Sequence, residues 1–146
     1  MGPSYVKTPE GVKGGENLMD PRTVRAGVGA GVVALLAGGA LGTYGGWSAV
    51  FSLATNDLGF WLIAIVLSVF SAYIYGYWFN TFLPGSAVIR GAIYGVLVWI
   101  LMLILGGVFG FFKEATYPDP TGPTLFLVLV LHIVWGAILG VLYEAR

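Results

Sequence analysis

GAIYGVLVWILMLILGGVFGFF, from Gly91 to Phe112, contains no Asp, Glu, Lys or Arg. Coiled as a helix with a rise of about 1.5 Å per residue, it reaches about 33 Å, enough to cross a hydrocarbon layer of about 30 Å. A barrel strand would alternate in polarity over about ten residues, whereas this run is apolar throughout. The stretch therefore predicts a transmembrane helix, and the rest of the chain can be read against it.

Three more apolar runs flank it: Ala26 to Ala54, Gly59 to Phe82 and Leu125 to Tyr143. The first is longer than a bilayer requires and must tilt, bend or protrude. The predicted fold is an all-α integral membrane protein, a four-transmembrane-helix bundle over residues 24–146. Composition agrees, since 58% hydrophobic residues, 10% charged residues and a mean hydropathy of +0.87 lie far from the soluble average. Residues 1–23 are polar and rich in Gly and Pro, and are expected to form an irregular tail. That tail lacks the apolar core and small-residue cleavage site of a signal peptide, so the first span is expected to be retained. Asp20-Pro21 followed by Arg22-Thr23 reads as a helix start, with Asp or Thr as the cap. YPDPTGPT, Tyr117 to Thr124, reads as a stiff non-helical loop.

The basic residues orient the bundle. Lys7, Lys13, Arg22 and Arg25 precede the first span, Arg90 lies between the second and third, and Arg146 follows the fourth. Only Lys113 falls on the other side, so the positive-inside rule places both termini in the cytoplasm. Trp47, Phe60 and Trp61 would mark the outer interface, and Tyr75, Tyr77, Trp78 and Tyr143 the inner one. The net charge is zero, which offers nucleic acid no attraction, and the absence of cysteine excludes disulfides and thiolate chemistry.

Glycine carries the packing signal. Gly27, Gly31, Gly38, Gly42 and Gly46 recur along one stripe of the first span, and Gly91 with Gly95, Gly106 with Gly110, and Gly136 with Gly140 repeat the spacing. Such stripes let helix backbones approach closely in lipid, where no hydrophobic drive holds helices together. Laying Gly91 on Gly27 also brings Gly95 onto Gly31, Ile138 onto Ile74 and Gly140 onto Gly76. That register suggests two copies of one helical hairpin, a parallel repeat about an axis along the membrane normal.

Chemistry is sparse. The spans hold no paired carboxylates, no nucleophile with a base and no metal-binding cluster, and no enzymatic activity is expected of this chain. His132 is the only histidine, and its spacing puts it on one face with Gly136 and Gly140. As packing glue it would bond a carbonyl, Ser or Tyr of a neighbouring helix, with Ser68 at its counterpart position in the repeat. As a ligand it would hold a chlorin or haem lying over the glycines. Ser68, Ser71, Tyr73, Tyr75 and Asn80 are the other candidates for a polar lining.

Tyr75 to Met102 and the later HIVWGAILGVLY resemble a family of small four-span prokaryotic membrane proteins of unassigned activity. The likeness rests on the aromatic end of span two, the Leu83-Pro84-Gly85 turn, Arg90-Gly91, and His132 with Gly136 and Gly140. It implies a four-helix fold in a prokaryotic inner membrane and brings no reaction. The expected role is a non-catalytic subunit or scaffold, packing through its glycine faces against itself or a larger membrane complex of respiratory or photosynthetic type, with bound lipid. The alternatives are a channel or carrier for a small neutral solute, and a chlorin- or haem-binding protein using His132.

Overall fold

A computed structural model describes residues 20–40, 57–109 and 122–145. Helix α1 is Pro21–Ala40, and α2 is Asp57–Ile74, continued by a π-helical turn, Tyr75–Phe79, and a last α-turn, Asn80–Phe82. Helices α3 (Ala87–Phe109) and α4 (Gly122–Glu144) complete the described chain. It is an all-helical four-helix bundle, and each helix is long and apolar enough to cross a membrane. Helices are the local answer because a backbone in lipid must satisfy its own polar groups, and a helix does so within one segment.

Sequence punctuation sets the helix ends. Asp20 caps α1, its Oδ1 accepting the Arg22 N–H at 3.0 Å, and Pro21 fits the first turn, where its missing N–H costs nothing. Thr23, the other candidate cap, is instead buried inside the first turn of α1. Leu83, before Pro84, turns extended at ψ 136°, as a residue preceding proline prefers, and ends α2. Gly85 at φ 100° then reverses the chain, and the Ser86 carbonyl accepts the Arg90 N–H at 2.9 Å to start α3.

Several expected boundaries move. Residues 21–23 belong to α1 rather than to the tail, because the cap acts at Asp20. Helix α3 begins at Ala87, four residues before Gly91, so Arg90 lies within its first turn rather than in a loop. Gly122, Pro123 and Thr124 start α4 instead of ending the proline-rich loop, since proline is tolerated in a first turn. The remainder of that loop, the end of the first apolar run and most of the tail lie outside the described residues.

The helices pack in the order α2, α1, α4, α3, with the π-helical turn of α2 reaching back to α3. Helices α1 and α4 form the centre: 39% of the apolar window of α1 and 33% of that of α4 are buried, against 17% for α2 and α3. The core combines Ala26, Ala30 and Ala72 with Tyr75, Tyr94, Trp135 and Leu139. Small residues on α1 thus bring the neighbouring helices close, and large rings fill the space between α2, α3 and α4. Tyr75, expected at the membrane interface, is fully buried in this core, while Tyr77 and Trp78 face outward.

Candidate functional site

The functional candidates converge on the interior of the bundle and on its charged end. Inside, three helices contribute a polar and aromatic cluster. Ser68 of α2 donates its hydroxyl to the Gly27 carbonyl at 2.7 Å and accepts the Trp135 indole N–H at 2.9 Å. One serine thereby joins α1, α2 and α4. The close approach of α1 makes this possible, since a Cβ at Gly31 would meet the Ser68 side chain at 2.9 Å and one at Gly27 the Val69 Cα at 2.5 Å.

Ser71 and Tyr94 form a second closure. Their oxygens are 2.8 Å apart, and the Tyr94 hydroxyl also lies 2.9 Å from the Ser71 carbonyl. A carbonyl can only accept, so the tyrosine donates to it and the serine hydroxyl donates to the tyrosine. The aromatic rings are continuous: Tyr143 to Tyr75 at 5.6 Å, Tyr75 to Tyr94 at 5.2 Å, Tyr94 to Trp135 at 6.0 Å and Trp135 to His132 at 6.5 Å between centroids.

His132 is 4% exposed and donates from Nδ1 to the Val128 carbonyl of its own helix at 2.8 Å. This bond lies within α4, and Ser68, its counterpart position in the repeat, bonds Gly27 and Trp135. The glycine face beside His132 is covered by α3. A Cβ at Gly95 would strike the His132 carbonyl, one at Gly91 the Gly136 carbonyl, and one at Gly140 the Ala87 carbonyl. The α3 backbone therefore lies directly on the glycine face of α4.

At the charged end, Arg90 is a cross-brace. One guanidinium nitrogen donates to the Asn80 carbonyl at 2.8 Å and another pairs with Glu144. Arg25 grips the end of α4 in the same way, donating to the carbonyls of Leu142 and Ala145. A cation at a helix C-terminus satisfies carbonyls that have no intrahelical partner and complements the helix dipole.

Of the proposed polar lining, Ser68, Ser71 and Tyr75 come together inside. Tyr73 instead stacks on the exposed Tyr77 at 6.2 Å, and Asn80 sits at the charged end. Gly38 is buried within α1, and Gly42, Gly46 and Gly110 fall outside the described residues. Gly106 lies in α3, with no side-chain environment described. Tyr94, Trp135, Arg25 and Glu144 are site residues that the sequence did not single out. The position of Trp135 three residues from His132 was an available signal; the register of Tyr94 on Ser71 was not. No group of three or more His, Cys, Asp or Glu able to hold a metal occurs among the described residues.

No protein-family model matches the chain. No curated protein and no solved structure matches it either. The functional reading therefore rests on the residues and their geometry.

Proposed function

We propose that this multi-pass membrane protein is a scaffold or accessory subunit whose working surface is the outward apolar face of α2 and α3. The observation that carries this reading is the inward closure of the polar groups: Ser68 with Trp135 and Gly27, and Ser71 with Tyr94. A conducting path needs polar groups lining it along its length, and here Ser68, Ser71, Tyr94 and Trp135 are spent on holding helices together. The outward faces are large and regular. Leu58, Leu62, Val66 and Phe70 are all more than half exposed and recur every four residues on α2, while Leu97, Leu101 and Ile104 line α3. The close α3–α4 contact makes a firm support for such a surface.

The reading places the chain in a prokaryotic inner membrane with both termini cytoplasmic, beside a second copy or another membrane subunit, in contact with lipid. Its test is photo-crosslinking in native membranes from benzoylphenylalanine at Phe70 and Leu101, analysed with the size of the intact complex in mild detergent. Adducts to a second copy or to one defined membrane protein, in a particle larger than a monomer, are expected. Adducts to lipid alone and a monomeric particle would sink the proposal, and solute flux through reconstituted liposomes would replace it with the channel.

A further inference from the structure

The π-helical turn closes a ring of five residues at the charged end of the bundle. The Asn80 N–H bonds the Tyr75 carbonyl across the turn, and the Asn80 carbonyl accepts from Arg90 at 2.8 Å. Arg90 pairs with Glu144, the neighbour of Tyr143, whose ring stands edge-on to Tyr75 at 5.6 Å. Three side-chain atoms of this ring are buried with no hydrogen-bond partner among the described residues: Tyr75 Oη, Asn80 Oδ1 and Arg90 Nε. Tyr75 is itself fully buried. Buried polar atoms cost stability unless something pairs with them, and three in one contact ring need a common explanation.

We propose that this ring is an internal binding site for one or two water molecules, held between Tyr75, Asn80 and Arg90. The donor set selects the ligand. Arg90 Nε–H donates, Asn80 Oδ1 accepts and the Tyr75 hydroxyl does both, which matches a molecule that donates and accepts about three hydrogen bonds. An anion would face the Asn80 oxygen and the Glu144 carboxylate, and a cation would face the Arg90 guanidinium, so the occupant is neutral. It is small, because Tyr75 has no exposed surface through which a larger molecule could reach it. The π-helical turn frames the site: it begins at the buried Tyr75 and hands the chain on to Asn80, whose carbonyl meets Arg90, and turns of this kind recur at functional positions.

The test uses the full chain in mild detergent. Brief X-ray pulses that generate hydroxyl radicals from bound water, read by mass spectrometry, should modify Tyr75 several-fold faster than Tyr94, which is similarly buried but bonded to Ser71. Tyr75→Phe, which keeps the ring, should lower the melting temperature by about 2–4 °C, and Tyr73→Phe should leave it unchanged. Modification of Tyr75 as slow as that of Tyr94 would overturn the proposal. So would a Tyr75→Phe protein as stable as the wild type or more so, since removing a hydroxyl with nothing to pair with relieves the fold.

Discussion

Trp135 and Ser68, on α4 and α2, are joined by a buried 2.9 Å hydrogen bond whose acceptor in turn donates to the α1 backbone. Replacing Ser68 with Ala leaves an indole N–H buried and unpaired, which costs about 1–3 kcal/mol. The Trp135→Phe change removes the donor and part of the ring volume. A double-mutant cycle by reversible unfolding in mixed micelles should give a coupling of about 0.6–1.7 kcal/mol, the range of hydrogen bonds within membrane bundles. Additive effects would show that the bond contributes nothing.

The α3–α4 contact tolerates no side chain. Gly136→Ala and Gly91→Ala each drive a methyl into backbone of the facing helix, where nothing flexible can give way. Each should destabilise by about 1–3 kcal/mol or more, and Gly136→Leu should prevent assembly. Gly39→Ala, at an exposed position of α1, should be neutral or slightly stabilising because alanine favours helix. Equal behaviour of the Gly39 and Gly136 variants would contradict the close packing.

Arg90 binds two partners with separate arms, so its loss should exceed that of either partner. Glu144→Gln is expected to cost at most about 1 kcal/mol, since the pair is partly exposed, at 23% and 35% of the two side chains. Arg90→Lys should cost more, because an ammonium lacks the fork that reaches the Asn80 carbonyl and Glu144 together. Thermal unfolding of both variants at low and high salt distinguishes the arms, as only the ion pair should respond to salt.

His132→Ala should leave the helical content and the oligomeric state unchanged, because the ring bonds within its own helix. An absorption spectrum of the purified wild type should show no Soret or far-red band. A band that disappears in the variant would require α3 to move off Gly136 and would turn the proposed role toward electron transfer or light capture.

Orientation is open to direct labelling because the chain has no cysteine. Ser86 lies at the turn before α3 and Gly122 begins α4, at opposite ends of the bundle, so Ser86→Cys and Gly122→Cys report the two sides. In intact cells a membrane-impermeant maleimide should reach Gly122→Cys and not Ser86→Cys. The reverse pattern would invert the topology.

The membrane class and the four helices were legible because charge is excluded from hydrocarbon at a cost that no local feature can hide, leaving gaps such as Arg90 to Lys113. The start of α1 was readable from Asp20-Pro21 and the reversal from Pro84-Gly85, since caps and turns are short-range chemistry. Burial of Tyr75 was not, although it follows Ser68 and Ala72 at helical spacing on the unbroken part of α2, because a tyrosine near the end of a span reads as an interface aromatic. Nor was the bond from Ser68 to Gly27, which depends on how close α1 comes to α2. Arg90 read as an orientation marker because its value as a brace depends on Asn80 and Glu144, which are distant in sequence.

The grip of Arg25 on the Leu142 and Ala145 carbonyls links the first span to the last turn of the fourth. During synthesis α1 and α2 enter the bilayer before that turn exists, so the side of α1 that faces α4 stays uncovered until α4 follows. Closure of the α1–α4 seam therefore waits for the last turn of α4. A product cut short within α4 would leave Arg25 without its carbonyls and would uncover the side of α1 that α4 packs against, with α2 as the one neighbour left to it.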